Sequence, residues 1–317
     1  MALPPLLQAG IDGELERADW TRVAKAAEQI TADYKAGNFG RPLGSAESRV
    51  AYLITRMPAT YAANVAVFRE AARLCTELRP LSLLDLGAGP GTAAWAAAEV
   101  WQSLAEITLV EANREMVAMG QRLGVEHQVL SRAKWINEDV SARKFPSADV
   151  VMLSYAIGEL RDAASVAKAA WNAARKLLVV IEPGTPKNFQ NVAEIRRKLI
   201  AGGAKVAAPC PHENECPMWV AEEWCHFAAR LERTKEHRRL KCGALGHEDE
   251  KYSYVAFAKD PVRNAESRVV RHPQTFSGHI RLNLCTPEGL NEKTVTKSQK
   301  ERFRAARRVK WGDEWSL

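Results

Sequence analysis

Long hydrophobic runs are missing from this sequence of 317 residues. No stretch of about eighteen consecutive apolar residues occurs, so we expect no membrane-spanning helix and no membrane partner. The N-terminal stretch lacks the basic and apolar regions of a secretion signal, and it lacks the Arg- and Ser-rich character of a transit peptide. These absences predict a cytoplasmic protein. In that reducing compartment the six cysteines are poor candidates for disulfide bonds.

Two common nucleotide-binding motifs are also absent. The glycine loop at 87–91 is not followed by a Lys-Ser or Lys-Thr pair, which argues against a P-loop NTPase. Its glycines are spaced G-x-G-x-G, whereas a dinucleotide-binding loop has the spacing G-x-G-x-x-G. We find no internal repeat, so a solenoid or propeller is not expected.

Acidic residues are fewer than basic ones. The chain has 45 Lys and Arg against 38 Asp and Glu, which gives a formal net charge of +7 and a pI of about 9.1. Such an excess favours a polyanionic partner. The composition is otherwise that of a globular protein, because 46% of the residues are hydrophobic and a sizeable core can form.

Four segments of different character follow one another along the chain. Residues 1–75 have apolar residues at helical spacing and predict a helical N-terminal subdomain, to which no motif assigns any chemistry. Residues 76–190 alternate apolar strands with helices, which predicts an α/β domain whose parallel sheet is covered on both faces. Residues 191–250 are irregular and form a cysteine-rich insertion. Residues 251–317 predict closing strands and, from Lys293 onward, a basic helical tail.

The stretch LLDLGAGPGTAAW contains the clearest motif. It places Asp85 and a glycine-rich loop directly after a strand and before a helix, so that the free N–H groups of the helix can face a ligand. The loop resembles motif I of class I S-adenosylmethionine-dependent methyltransferases. The resemblance implies a Rossmann-like methyltransferase sheet, with Asp85 orienting the loop or the methionine ammonium.

The same resemblance implies further cofactor contacts along the sheet. Glu111, at the end of the second strand, would hold the ribose hydroxyls, and Asp139, after the third, would meet the adenine amino group. Ser154 and Tyr155 would lie at the pocket rim, at the end of the fourth strand. The expected cofactor-binding residues are Asp85, Gly87, Ala88, Gly89, Gly91, Glu111, Asp139 and Ser154. The alternative is that the acids among them only cap strand ends.

No catalytic residue is identified. The fourth strand ends in SYAIGEL, whereas amino-group methyltransferases acting on bases often have Asn/Asp-Pro-Pro-aromatic there. Cys210 follows a proline, as the nucleophile of C5-cytosine enzymes does, but it lies well after the fifth strand. Glu159 could serve as a base or could simply begin a helix. Enzymatic activity therefore stays open.

Three cysteines lie close together at positions 210, 216 and 225. Structural zinc sites favour cysteines about two to four residues apart, whereas iron–sulfur clusters use four thiolates at more varied spacings. The C-x-x-x-C-x-x-C pattern of radical S-adenosylmethionine enzymes is absent. Buried reduced thiols are the alternative to a metal site. The candidates for a fourth ligand are Cys242, Cys285, His212, His226 and His247.

A combination of motifs from about residue 45 to the end resembles one family, the methyltransferase-like proteins of the mitochondrial small ribosomal subunit and their bacterial relatives. The motifs are LLDLGAGPGT, IEPGTP, APCPH, WCHFAARLER, EDEKYSYVAF and KWGDEW. The resemblance implies a [4Fe–4S] cluster, with zinc as the less favoured alternative. It places the ligands at Cys210, Cys216, Cys225 and Cys285, with Cys242 as the other possible fourth ligand. The cluster would fold its segment and would not carry electrons.

The C-terminal tail combines positive charge with aromatic rings. Seven Lys or Arg residues lie between Lys297 and Lys310, and Phe303, Trp311 and Trp315 are nearby. Such a combination suits a phosphate backbone and unstacked bases, although a solvated helix is the alternative. The family resemblance favours ribosomal RNA over DNA. The expected RNA-binding residues are Arg230, Arg233, Arg238, Arg239, Lys300, Arg302, Arg304, Arg307, Arg308 and Lys310.

The sequence thus predicts an S-adenosylmethionine-binding protein that acts on the RNA of the small ribosomal subunit, with a [4Fe–4S] segment that contacts RNA. The alternative is a non-catalytic assembly factor that uses the same fold as an RNA-binding platform. A methyltransferase for a protein or a small molecule explains the basic tail less well. We expect a monomer.

Overall fold

A computed structural model describes residues 1–36, 43–142, 144–241, 243–263 and 265–316. Four helices open the chain, and Asp19 and Ser45 cap the second and third by accepting backbone N–H groups. These helices are α1 (Pro5–Glu16), α2 (Trp20–Lys35), α3 (Ala46–Thr55) and α4 (Met57–Leu74). Among the described residues, no helix has both the length and the apolar character needed to cross a membrane.

A mixed sheet forms the centre of the molecule. Its first five strands run parallel, in the order β3-β2-β1-β4-β5, and are apolar because both faces of the sheet are covered. They are β1 (Ser82–Leu86), β2 (Glu106–Val110), β3 (Lys134–Ile136), β4 (Ala148–Ser154) and β5 (Ala174–Pro183). The helices after β1, β2, β4 and β5 are α5 (Thr92–Val100), α6 (Arg114–Gly124), α7 (Ala163–Ala173) and α8 (Pro186–Ala201). The predicted Rossmann-like α/β fold is confirmed.

Alternate residues of these strands enter two separate cores. On one face, Leu83 and Met152 pack with α1–α6, and on the other, Leu84 and Val151 pack with α7 and α8. The strand order reverses direction between β1 and β4. In open α/β sheets, ligands bind outside the carboxyl ends of the strands at such a reversal, so this edge is where a site is expected.

Three further strands complete the sheet: β6 (Lys205–Ala208), β7 (Phe227–Glu232) and β8 (His247–Ala258). The long strand β8 runs antiparallel to β5, and both β6 and β7 pair with it. Tyr252 faces both Pro183 of β5 and Phe227 of β7, so β7 lies on the edge opposite β5, next to β6. Residues 209–226 therefore leave and rejoin the same edge of β8. We call residues 209–226 the cysteine segment; it includes the short helix α9 (Pro217–Val220).

The end of the chain folds into a second, four-stranded sheet. Its strands are β9 (Arg268–Val269), β10 (Gln274–Thr275), β11 (His279–Thr286) and β12 (Gly289–Thr296). The helical tail predicted from Lys293 onward is wrong in its bounds, because Lys293–Thr296 belong to β12 and pair with β11. Only α11 (Lys300–Ala306) is an α-helix there. The remaining helix, α10 (Lys235–Leu240), lies between β7 and β8.

One buried arginine joins the second sheet to the rest of the molecule. Arg268 is 2% exposed, and its Nε donates to the carbonyl of Pro209 at 2.9 Å. Its Nη1 donates to the carboxylate of Glu70 on α4 at 2.6 Å and to the carbonyl of Gly312 at 2.9 Å. The second sheet is thus anchored to the first helices and to the start of the cysteine segment.

Candidate functional site

The glycine loop lies at the predicted edge of the sheet. Gly87 has φ +73° and Gly91, which precedes α5, has φ +84°, so both are in the left-handed region that favours glycine. A Cβ atom at Gly87 would lie 2.7 Å from the Cβ of Ala156, so no larger residue fits without movement. Together these constraints bring the backbone close to the cavity beside it.

A cavity of about 660 Å³ opens beside this loop at the carboxyl ends of β1, β2 and β4. That volume is in the usual range for a small-molecule site. Of the predicted cofactor residues, only Gly91 is absent from its wall. Those that line the cavity are Asp85, Gly87, Ala88, Gly89, Glu111, Asp139 and Ser154.

Three buried oxygen atoms in the cavity wall have no hydrogen-bond partner among the described residues. They are Oδ2 of Asp85, Oγ1 of Thr92 and Oδ1 of Asn64, and their residues are at most 6% exposed. Burial, and secondly the nearby Glu111, raise the pKa of Asp85 to about 8. An unpaired buried acceptor costs free energy, so these atoms are suited to a ligand that supplies donors.

The other predicted acids differ in their surroundings. Both oxygens of Glu111 accept backbone N–H groups, from Gly89 at 2.8 Å and from Asn113 at 2.7 Å. Asp139 is exposed and accepts the N–H of Ser141 at 2.7 Å, which keeps its pKa below the usual value. Glu111 is thereby fixed between the glycine loop and the start of α6, at the end of β2.

Several cavity residues were not predicted from the sequence. The N-terminal helices, which carry no motif, contribute Asn64 and two tyrosines, Tyr34 and Tyr52, to the wall. Tyr155, directly after β4, has φ +56°, a strained backbone conformation for a large residue. Its hydroxyl donates to Glu250 of β8 at 3.1 Å. Tyr155 was expected at the pocket rim from its position at the end of the fourth strand, and it lines the cavity, but its contact with Glu250 has no sequence signal.

The structure brings the four predicted cysteine ligands to one small cavity. Cys210, Cys216 and Cys225 of the cysteine segment and Cys285 of β11 line a space of about 30 Å³. His212 shares this wall, with its Nε2 3.5 Å from the sulfur of Cys285. Cys242 lies outside the described residues.

The thiols are in an apolar environment. Burial, and secondly repulsion from Cys210, raise the pKa of Cys216, Cys225 and Cys285 above the usual thiol value. Within the described residues, no three His, Cys, Asp or Glu side chains are grouped closely enough to hold a metal ion. A common cavity is therefore shown, and a metal site is not.

The predicted RNA-binding residues lie in two regions. In the first, Arg230 pairs with Asp249 at 2.7 Å, and Arg233 pairs with Glu248 at 2.8 Å and is only 14% exposed in its side chain. Arg238 and Arg239 of α10 are exposed, and Arg239 lies over the ring of Trp20. In the second region, Arg302 donates to the carbonyl of Ser316. The other residues there are exposed: Lys300, Arg304, Arg307, Arg308 and Lys310.

The fold and the cavity at its sheet reversal define a Rossmann-like α/β protein with a candidate small-molecule site. Comparison with family models makes this specific, because the model described as "Mitochondrial small ribosomal subunit Rsm22" matches residues 46–316. The chain belongs to this Rsm22 family, as the combination of motifs indicated.

Curated relatives agree with the family match. The chain is 25% identical over 284 residues to the human "Ribosome assembly protein METTL17, mitochondrial", covering 83% of this chain and 61% of that protein. It is 25% identical over 179 residues to the Saccharomyces cerevisiae "Ribosome assembly protein RSM22, mitochondrial", covering 35% of this chain and 28% of that protein. The chain therefore spans about three-fifths or less of the length of these relatives.

The expected cytoplasmic location is wrong according to these comparisons. The family and its curated relatives are described as mitochondrial, which points to the mitochondrion. The expectation depended on a targeting pattern that was not found, and a missing pattern is weaker evidence than a matched family.

Two solved methyltransferases are among the structures that the chain resembles distantly. One is the Synechocystis magnesium protoporphyrin IX methyltransferase with bound S-adenosylmethionine, with 14% identity, a TM-score of 0.41 and coverage of 77% of this chain and 98% of that chain. Another is an O-methyltransferase family protein from Burkholderia thailandensis, with 14% identity, a TM-score of 0.43 and coverage of 59% and 67%.

Proposed function

We propose that this protein binds S-adenosylmethionine and takes part in assembly of the small ribosomal subunit by binding its RNA. The observation that carries the proposal is the cavity at the sheet reversal, in a chain that belongs to the Rsm22 family. Relatives named as ribosome assembly proteins support the process, and the cavity supports the ligand.

The residues around the cavity fit the proposed cofactor. S-adenosylmethionine has an ammonium group, ribose hydroxyls and an adenine amino group, all of which donate hydrogen bonds. Asp85 offers an unpaired buried oxygen, and Glu111 and Asp139 offer carboxylates at the next two strand ends. Gly87 lets the loop pack against Ala156 at the cavity wall, where a Cβ atom would clash. Bound there, the cofactor would supply an electrophilic methyl group.

The donor set of the cysteine cavity is compatible with the [4Fe–4S] cluster that the family resemblance implies. The cavity wall contains four thiols and no carboxylate, which is a soft donor set typical of such clusters. The four cysteines would hold the cluster and join the cysteine segment to β11, which is a structural role.

RNA binding is assigned to the exposed part of the predicted basic set. Arg304, Arg307 and Arg308 have no ion-pair partner among the described residues, and their charges are available to phosphates. Arg230 and Arg233 are paired with acids, so their contribution would be smaller. The tail therefore supports RNA binding more strongly than the first region does.

Methyl transfer to the RNA is a second candidate function. The observation in its favour is that Tyr155 and Glu159, directly after β4, line the cofactor cavity, where a reacting group could meet the methyl donor. Burial, and secondly Glu111, raise the pKa of Glu159 to about 7, a value suitable for proton transfer. We assign no catalytic role to either residue.

One experiment separates these functions. Purified protein would be tested for binding of S-adenosylmethionine and for transfer of its labelled methyl group to small subunits from cells lacking the protein. Gly87→Ala should abolish binding, because its Cβ meets Ala156. Gly13→Ala is the matched control, because nothing lies within 4 Å of that position. Label in the RNA would establish a methyltransferase, and binding without label would leave the assembly role. No binding by the wild type would refute the proposed cofactor.

The cluster has its own test. Protein purified without oxygen should be brown and contain iron and sulfide, and Cys285→Ser should lose both and unfold more easily. Cys75→Ser is the matched control, because Cys75 lies at the end of α4 and is not part of the cysteine cavity. Colourless wild-type protein with one bound zinc would contradict the proposal.

A further inference from the structure

The cofactor cavity has an unusual charge. Six carboxyl groups line it, and no Lys, Arg or His does so among the described residues. These acids are Asp33, Asp85, Glu111, Asp139, Glu159 and Glu182. Acids without basic neighbours attract a cation, and a bound cation also favours release of the protons that burial holds on Asp85 and Glu182, whose pKa it raises to about 8.

Five of these acids form no ion pair with a described residue: Asp85, Glu111, Asp139, Glu159 and Glu182. Glu111 and Glu182 accept backbone N–H groups, which bind a carboxylate without cancelling its charge. The nearest buried arginine, Arg56, is already paired with Glu250 at 2.9 Å. The unpartnered oxygen of Asp85, which is 1% exposed, shows independently that the cavity is built for a donor. A positively charged ligand would complete it.

Glu159 differs from the other five acids. It follows β4 in a short 3-10 helix, Ile157–Glu159, and its carboxylate has no hydrogen bond or ion pair with the described residues. Its position after the central strand places it on the same side of the cavity as Ser154 and Tyr155. Its charge is therefore free to act on the ligand.

S-adenosylmethionine and S-adenosylhomocysteine differ by one methyl group and one positive charge. The sulfonium gives the first a net charge of +1 at neutral pH, whereas the sulfide leaves the second neutral overall. We propose that the cavity binds S-adenosylmethionine in preference to S-adenosylhomocysteine, and that the unpaired carboxylate of Glu159 supplies much of this preference. This inference rests on the proposed cofactor site and adds its selectivity.

Such selectivity would make the protein respond to the supply of methyl donor. A cavity that binds both nucleosides equally remains filled when the demethylated product accumulates. A cavity selective for the sulfonium loses its ligand under those conditions. The bound fraction of the protein would then follow the ratio of donor to product and not their sum.

Calorimetric titration of the full-length protein tests the inference. We expect S-adenosylmethionine to bind about tenfold more tightly than S-adenosylhomocysteine, because the exposed carboxylate of Glu159 acts on the sulfonium through partly screened attraction. Sinefungin, in which an amine-bearing carbon replaces the sulfonium, should resemble the cationic ligand. Glu159→Gln should reduce the preference at least about threefold and change the affinity for S-adenosylhomocysteine less. Glu126→Gln, an exposed acid outside the cavity, is the charge-matched control.

Each outcome has a defined meaning. Equal affinities in the wild type, or tighter binding of S-adenosylhomocysteine, would overturn the inference and leave the cofactor site intact. An unchanged preference in Glu159→Gln would show that this residue is not the selecting group. If neither nucleoside bound, the proposed cofactor site itself would be wrong, and the inference would fail with it.

Discussion

Asp85 shows how one residue of the loop depends on its surroundings. It lies at the end of the buried strand β1, and one of its oxygens is unpaired. Burial opposes its charge, so the ligand-free protein holds a proton there at neutral pH that the unfolded chain would release. A cationic ligand reverses this balance, because it stabilises the carboxylate.

The first prediction concerns the pH dependence of this residue. A carboxyl pKa raised to about 8 contributes stability fully below the unfolded-state value near 4, and that contribution is lost as pH rises to 8. Asp85→Asn removes the titration. The unfolding free energy of the variant relative to wild type should therefore rise by roughly 1 kcal/mol per pH unit between pH 5 and 8 and then level off.

Urea unfolding of both ligand-free proteins at several pH values measures this difference. Other groups that titrate in the same range, such as His127 and His237, are present in both proteins and cancel. A difference that stayed constant from pH 5 to 8 would show that Asp85 is ionised throughout.

Among the elements, β8 connects the cofactor cavity to the cysteine segment. It pairs with β5 on one edge and with β6 and β7 on the other. Its residue Glu250 binds Arg56, at the junction of α3 and α4, and accepts the hydroxyl of Tyr155. The guanidinium of Arg56 also lies 4.0 Å from the ring centre of Tyr34, which lines the cavity. A buried polar network therefore links the N-terminal helices to the sheet.

The second prediction is that breaking the buried ion pair between Arg56 and Glu250 lowers the free energy of unfolding strongly. Arg56→Met leaves Glu250 buried without its counter-charge and should lower the unfolding free energy by about 3–5 kcal/mol. Arg56→Met with Glu250→Leu removes both charges and should recover much of that loss. Arg197→Met, at an exposed pair with Glu194, should cost less than about 1 kcal/mol. If Arg56→Met and Arg197→Met lowered the unfolding free energy equally, burial would not be what makes the Arg56–Glu250 pair important.

The sequence predicted helices and strands correctly where the local residue pattern matches the way the element packs in the folded protein. The apolar strands and the glycine loop carry their own signals, because both faces of the sheet are buried and a tight turn needs glycine. Strand β12 carries a weaker one, since GLNEKTVT is largely polar and becomes a strand by pairing with β11. The contribution of Asn64 to the cavity arises from helix packing, which no local pattern records. The four-part division of the chain and the roles of the site residues stay predictions.

At the scale of the whole molecule, the basic residues differ in whether an acidic side chain already pairs with them. Many of the 45 basic residues form ion pairs, including Arg56 and Arg122 with buried acids and the buried Arg268 with Glu70. The exposed arginines of the C-terminal tail have no such partner among the described residues. Free charge, and not total charge, decides how strongly a protein binds a polyanion.

The third prediction follows for RNA binding. Changing Arg304, Arg307 and Arg308 together to Gln should flatten the dependence of binding on salt by up to about two units of log K per log [salt], since each lost phosphate contact on single strands removes about 0.7. The control variant changes Lys25, Lys144 and Lys168 to Gln, which alters net charge equally. Binding of a single-stranded RNA measured from low to high salt gives both slopes. Equal slopes for the two variants would exclude the tail as the RNA-binding surface.

The cysteine segment leaves and rejoins one edge of β8, and this arrangement has a topological consequence. Strands β6 and β7 keep their pairing with β8 whether or not the peptide between them is continuous. A protease that cut the segment would produce two fragments that remain interlocked through the shared sheet. The covalent connection at this point is thus not what holds the two halves of the molecule together.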